Sequence, residues 1–348
     1  MTPGPPAAEE RFISVVIPNR NGAAFVGECL RAAFASTYRR FEVVVVDDGS
    51  EDGSADVVRD FPCRLVRLPH GGVSRARNAG ARAAAGDLLF FIDNDCLLAR
   101  DTLAIANASY RRREGLVLGG TYTPAPHDRD FFSAFQSVSI HHFETKRAEP
   151  DYVASHAMVV DAELFRRSGG FVEGSFIGVA ASVEDVELCH RLRAMGCRLE
   201  MNPQLLVKHM FRFSLRRSLA NAIRKARSWT RYSIGNRDLL ADSGAASLEL
   251  KTNVLSSAAV AVLVAASAVQ GVRWPLAVAA AVVALDLGVN RRLIAAWRRT
   301  GGALFSVLAT AYYLTVYAAA VAAGGLAGGL EHLWSAGDRR ACTQRLGT

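Results

Sequence analysis

Short apolar runs recur through the first two hundred residues, each closed by a polar cluster, with amphipathic stretches between them. Residues 12–17 form a β-rich run that stops at Pro18, Asn19, Arg20, Asn21 and Gly22, a set of turn formers. Phe25, Val26, Cys29, Leu30, Ala33 and Phe34 then recur at helical spacing. A second buried strand is predicted over residues 41–46, ending at Asp47-Asp48-Gly49-Ser50. Ser54 is placed to cap a short helix through Val57 and Val58, and residues 63–68 read as a third strand. A basic helix candidate from Gly71 leads to the continuous apolar run Leu88, Leu89, Phe90, Phe91 and Ile92, a strand covered on both faces. Strand and helix thus alternate as far as Asp93, the order of a mostly parallel α/β sheet.

The pattern changes after about Val254, where Ala, Val, Leu and Gly dominate. Residues 254–272 carry no charge over 19 positions and residues 301–330 none over 30, each long enough to cross a hydrocarbon core. Residues 274–289 are shorter and contain Asp286, which pairs with a neighbouring helix or marks a path for a lipid on this reading. Two or three spans are expected, and if all three cross, the basic loop expected at residues 290–300 falls on the side of the first domain, as the positive-inside rule requires. Residues 207–237 hold nine Lys or Arg and no Asp or Glu. Their interleaving with Leu215, Leu219, Ile223 and Trp229 fits a basic helix on an anionic membrane surface, or one packed on the first domain with its basic face in solvent. The chain's formal charge of +8 is thus concentrated beside apolar segments, which argues against nucleic acid as a partner.

Six cysteines, Cys29, Cys63, Cys96, Cys189, Cys197 and Cys342, show no C-x-x-C pair and suit a reducing compartment. The start, MTPGPPAAEER, lacks a basic n-region and apolar core, so no signal peptide is expected. The predicted organisation is a disordered start (1–11), a catalytic domain (12–210), a basic juxtamembrane segment (211–250), transmembrane helices (251–331) and a tail (332–348). The expected location is the inner membrane, multi-pass, with the first domain cytoplasmic.

Chemistry gathers where strands stop, because ligands of open α/β sheets bind at the carboxyl ends of the strands. Asp93 and Asp95 flank Asn94 there, and carboxylate oxygens suit Mg2+ or Mn2+. Taken alone, the triplet also fits a plain turn. Asp48 ends an earlier strand and can accept from a base N–H or a ribose hydroxyl. Arg75 and Arg77 offer planar forks to phosphate, although with Arg82 they also fit a solvated helix face. The first strand leads to PNRNG rather than G-x-G-x-x-G, which disfavours a dinucleotide-dependent oxidoreductase.

The stretches SVVIPNRNG, FEVVVVDDGSEDGS, GGVSRARNAG, GDLLFFIDND, GGF-x-E and VEDVELCHRLRAMGCRLEMNP together resemble the family 2 glycosyltransferases, in family order from Ser14 to His209. That resemblance implies a GT-A fold and a nucleotide-diphosphate sugar donor carrying UDP, GDP or dTDP. It implies Pro18 and Asn19 at the nucleotide, Asp48 on the base, Arg77 near base or phosphate, and Asp93-Asn94-Asp95 as a D-x-D metal motif. Asp185, beside Glu184 at a helix start, becomes the general base of an inverting displacement, although the helix macrodipole alone favours carboxylates there. His209, just past a further strand candidate over residues 198–201, is a candidate third metal ligand, whereas His141, His142 and His156 carry no such support. The processive Q-x-x-R-W motif is missing, Arg227-Ser228-Trp229 being a partial echo, so transfer of one sugar to a glycan or lipid-linked acceptor is expected. A polyprenyl-phosphate acceptor, or a non-catalytic membrane scaffold with the same fold, are the alternatives. Residues 120–158, with Tyr122, His127, Phe131 and Phe135, are expected to shape the acceptor side.

Overall fold

The computed structural model describes residues 10–110, 115–173, 183–244 and 246–345. The expected disordered start falls largely outside that set. The chain divides into two compact units. One comprises Met1–Asp128, Glu144–Phe176 and Glu184–Phe211, and the other Arg129–Phe143, Ile177–Val183 and Arg212–Thr348.

The first unit is an eight-stranded sheet. Its strands are β1 (Ile13–Asn19), β2 (Phe41–Asp48), β3 (Arg64–Leu68), β4 (Leu88–Phe91), β5 (Cys96–Leu98), β6 (Leu116–Tyr122), β7 (Met158–Asp161) and β8 (Arg198–His209), in the order β3-β2-β1-β4-β7-β6-β8-β5. The β3-β2-β1-β4 half is parallel throughout. Its strands are the apolar runs of the sequence because crossover helices cover both faces. Those helices are α1 (Val26–Phe34), α2 (Ser54–Arg59) and α3 (Val73–Ala83). Gly80 lets α3 approach closely, since a Cβ there would run into Val16 and Val46. β7 pairs antiparallel with β4 and β6, and β8 runs parallel to β6. Parallel register carries the ends of β1, β2 and β4 to one edge, where Asn19, Asp48 and Asp93 leave the sheet.

Three local expectations change. Ser54 is the first residue of α2 rather than its cap. Its hydroxyl accepts instead from Gly22 N at 2.9 Å, tying the loop after β1 to α2. β8 runs to His209 although a strand was expected only over residues 198–201. A register shift against β6 takes up residues 202–205, and Pro203, which has no N–H to donate, sits in that irregularity. α5 (Phe131–Glu144) falls mainly in the second unit, with Phe135 1 % exposed in an aromatic core, so Phe131 and Phe135 serve packing there.

The second unit is helical. It holds α8 (Leu215–Asn236), α9 (Leu248–Gln270), α10 (Trp274–Val289), α11 (Arg291–Tyr312), a π-helical stretch (Tyr313–Tyr317) and α12 (Ala318–Arg345). The loop expected at residues 290–300 is helical, because Leu293 and Trp297 are spaced to bury against Phe135, Tyr312 and Tyr313, with Trp297 Nε1 donating to Ser139 Oγ at 3.2 Å. Gly302, at φ 80°, kinks α11 just after this basic stretch. The tail expected from residue 332 continues α12 to Arg345. α8 packs on α12 through Gly324 and Gly328, whose missing side chains admit the backbone of Ile223 and Arg227. Arg227 and Arg231 both pair with Glu331 across that contact. By length and composition, Leu248–Gln270 and Arg291–Trp334 can each cross a membrane, and Trp274–Val289 is a shorter apolar helix.

Candidate active site

Where β1, β2 and β4 end, their exit loops are knitted together. Asn94 Nδ2 donates to Asn19 Oδ1 at 2.7 Å, linking the Asp93-Asn94-Asp95 turn to the end of β1. Gly22 is required beside that bond, since a Cβ would overlap both amides. Ser50, just past β2, accepts from Asn21 N at 2.9 Å and Asn19 Nδ2 at 3.4 Å. Pro18 is buried within β1, opposite Val46. Asp48 accepts from Gly71 N at 2.8 Å and Gly72 N at 2.9 Å, and His70 Nδ1 lies 2.9 Å away, so its carboxylate fixes the loop that opens α3. His70 also reaches Arg20 at 2.8 Å, which joins that loop to β1.

Arg77 projects from α3 and is 3 % exposed. Its Nη1 donates to Glu184 Oε1 and its Nη2 to Asp93 Oδ1, each at 2.8 Å. A guanidinium fork serves two carboxylates from two separate nitrogens, whereas an ammonium would have to reach both from one. Burial opposes its charge, but Asp93 and Glu184 outweigh burial and raise its pKa further. The same guanidinium lies 5.4 Å from the Phe171 ring centroid. Phe171 is fixed by Asn78, which accepts from its N–H at 2.9 Å and donates to its carbonyl at 2.8 Å. Gly169 and Gly170 supply the positive φ of that turn, 82° and 70°, which gives the Gly-Gly-Phe stretch a structural purpose beneath Arg77.

Asp93 and Asp95 differ sharply. Burial pushes Asp93 up, yet Arg77 outweighs it and holds the carboxyl below its ordinary value. Asp95 is pushed up to about 7 by burial and by the charge of Asp93. Its Oδ1 lies 3.4 Å from His209 Nε2, on the last residue of β8. His209 stacks on Phe211, centroids 3.9 Å apart, and meets Tyr122 edge-on at 4.9 Å. Asp95, Cys96 and His209 present ligand atoms all within 4.8 Å of one another. A carboxylate held part-protonated beside an imidazole at that spacing fits a divalent cation, whose charge would restore ionisation.

Asp185 stands in the first turn of α7 (Glu184–Ala194). Its Oδ2 accepts from Ser155 N at 3.1 Å and its Oδ1 from its neighbour Val186 N at 2.9 Å. Burial first and Glu184 second push it up to about 6.

The turn that supplies Ser155 also carries His156, which the sequence reading set aside. His156 is 9 % exposed, stacks on Tyr122 at 4.0 Å, and lies 3.4 Å from Glu144 Oε2, which accepts from Thr121 Oγ1 at 2.6 Å. A proton on it would favour the ionised forms of Asp93, Asp95 and Asp185 alike. Asp47, adjacent to the expected Asp48, is 1 % exposed, and Arg67 3.6 Å away is its ion-pair partner. Strand alternation was the one available signal for Asp47, and His156 offered none.

With this geometry in view, residues 14–168 match the family described as Glycosyl transferase family 2, an enzyme domain of the glycosyltransferase kind. A glycosyltransferase of Haloferax volcanii, AglE, is 38 % identical over 93 residues, covering 24 % of this chain and 31 % of its own. The pre-mycofactocin glycosyltransferase of Mycobacterium tuberculosis is 28 % identical over 226 residues, 62 % of this chain and 46 % of its own. The matches thus span less than half the length of either relative. Among solved structures, the mannosyltransferase PcManGT from Pyrobaculum calidifontis, in complex with GDP-Man and Mn2+, superposes with a TM-score of 0.56 at 20 % identity. It covers 94 % of this chain and 90 % of its own, a likeness of fold.

Proposed function

We propose that this chain is a membrane-anchored, divalent-metal-dependent glycosyltransferase that inverts the anomeric centre as it moves one sugar from a nucleotide-diphosphate donor to a hydroxyl. The observation that carries this reading is the double grip of Arg77, which ties the Asp93-Asn94-Asp95 turn to the helix bearing Asp185. Donor-side and acceptor-side carboxylates are thereby held in one frame, as a single displacement requires.

Asp185 is the general base. Its two backbone donors fix the carboxylate, and a pKa of about 6 leaves it ionised yet basic near neutrality, ready to take the acceptor hydroxyl's proton. Glu184 supports it by engaging Arg77. Asn19, Asp48 and the loop at residues 70–72 form the nucleotide side, with Pro18 holding the end of β1. Asp95 and His209, with Asp93 alongside, would hold Mn2+ or Mg2+, and such an ion supplies positive charge for the departing diphosphate. A protein of this fold has been solved with GDP-Man and Mn2+, which supports the pairing of sugar nucleotide and metal. The apolar helices α9 and α11–α12 anchor the enzyme in the cell's inner membrane with the catalytic unit cytoplasmic, and the acceptor is a glycan or a lipid-linked saccharide concentrated at that surface.

The test is binding of UDP, GDP and dTDP to detergent-solubilised protein, with and without Mn2+, beside Asp95→Ala. Metal-dependent binding by wild type that disappears in the variant supports the reading and names the base. Folded wild-type protein that binds none of the three overturns it in favour of a non-catalytic scaffold.

A further inference from the structure

Beside the candidate metal ligands lies a thiol that a D-x-D motif does not call for. Cys96 opens β5 and stands directly opposite His209 in the antiparallel β5–β8 pair. Side chains facing each other in such a pair emerge on one side of the sheet, with Cβ atoms about 4.5–5.5 Å apart. Cys96 therefore sits beside the imidazole by register. Asp95 Oδ1 is 3.4 Å from His209 Nε2 and 3.9 Å from Cys96 Sγ.

Those spacings carry chemical information. A tetrahedral ion with bonds of about 2.0–2.2 Å to N and O and about 2.3 Å to S holds its donors roughly 3.4–3.6 Å apart. The carboxylate and imidazole are already at that distance, and the thiol is slightly beyond it from the carboxylate and within 4.8 Å of the imidazole. Phe211 and Tyr122 clamp the imidazole ring, so its orientation is set before any ion arrives. The Cys96 residue is fully buried, whereas the Asp95 and His209 side chains are 28 % and 13 % exposed. An entering ion meets oxygen and nitrogen first and sulfur at the floor. A set of one oxygen, one nitrogen and one sulfur suits zinc, whereas Mg2+ and Mn2+ gain little from a thiolate.

We propose that Asp95, Cys96 and His209 form a three-point site that takes a thiophilic divalent cation of the zinc type more tightly than Mn2+ or Mg2+. The thiol exchanges its proton for the ion, and the released proton goes to solvent. Zinc in this position displaces the cation invoked for transfer, making the same pocket a point of inhibition. This inference rests on the assignment of Asp95 and His209 as metal ligands made above.

Cobalt replaces zinc as a visible probe. Full-length protein in detergent, titrated with Co2+ in the absence of nucleotide, is expected to develop a thiolate-to-cobalt charge-transfer band that one equivalent of Zn2+ abolishes. Cys96→Ser should lose the band while retaining Mn2+-dependent nucleotide binding. In wild type, Mn2+ release followed by electron paramagnetic resonance should need at least about tenfold less Zn2+ than in the variant, since one soft ligand separates them. X-ray absorption of the zinc-loaded wild type, which needs no variant, should show one sulfur at about 2.3 Å. Absence of sulfur from the zinc shell overturns the proposal, and so does a cobalt band that survives in Cys96→Ser. A thiolate–metal signature in protein that binds no nucleotide leaves this site standing and removes the transferase reading. Nucleotide binding with Mn2+ but no thiolate signature does the reverse.

Discussion

Two pairs of carboxylates share the rim of the sheet unit and are treated oppositely. Asp93 and Glu184 each receive a hydrogen bond from Arg77 at 2.8 Å, and Asp93 is held below its ordinary value despite burial. Asp95 and Asp185 receive no guanidinium among the described contacts and rise to about 7 and about 6. The first pair is neutralised inside the protein and acts as framework. The second keeps an electrostatic need that a cation or a substrate proton can meet, as functional groups with displaced pKa values do. Adjacent residues of one turn thus differ in role because one guanidinium reaches only one of them.

The largest effect is expected at Asp185, the member of the unneutralised pair proposed as general base. Asp185→Asn should lower kcat by about 10²–10⁴-fold, with metal-dependent nucleotide binding retained. In wild type kcat should rise with pH through about 6 as Asp185 loses its proton, and the variant should lose that limb. A variant with unchanged kcat would mean that the two pairs do not divide as proposed.

Next comes the framework pair. Arg77→Met leaves Asp93 and Glu184 uncompensated and should cost about 3–5 kcal/mol in chemical denaturation. Arg77→Lys should recover only part of this, because one nitrogen replaces the two that bond Asp93 and Glu184 separately. Glu184→Gln should cost less, about 1.5–3 kcal/mol, since Arg77 keeps Asp93 and loses one charge-assisted bond. Full rescue by lysine would show that charge rather than bridging geometry holds the frame.

Most of this rim was legible because parallel strands buried on both faces spell themselves out. Val43 to Val46 and Leu88 to Ile92 are uninterrupted apolar runs, and Asp47-Asp48 and Asp93 follow them directly. The roles within the rim were less so. Arg77 read as a phosphate ligand, yet its two partners lie 16 and 107 residues away in sequence and only the fold brings them to it. His156 is a lone histidine in a 3₁₀ turn, and neither its stacking on Tyr122 nor its approach to Glu144 leaves a local pattern. In the helical unit, the four arginines among residues 291–299 masked the helical spacing of Leu293 and Trp297.

The smallest effect separates the two pairs by the sign of their pH dependence. Asp95 has a folded pKa of about 7 against an ordinary 3.8, so in metal-free protein its contribution to stability is present at low pH and is lost as pH rises through about 7. Asp93 is depressed, so its contribution is present above its ordinary value and is lost only as pH falls through the lowered one. A bound cation competes with the proton on Asp95 and not with Arg77 on Asp93. The rise in Tm given by saturating Mn2+ should therefore be slight at about pH 5, grow through about 7 and level off by about pH 8. Asp95→Asn should flatten that increment across the range while leaving the acid limb of the metal-free protein in place. If both limbs moved together in the variant, Asp93 and Asp95 would be one electrostatic unit, and Arg77 would be compensating the turn as a whole.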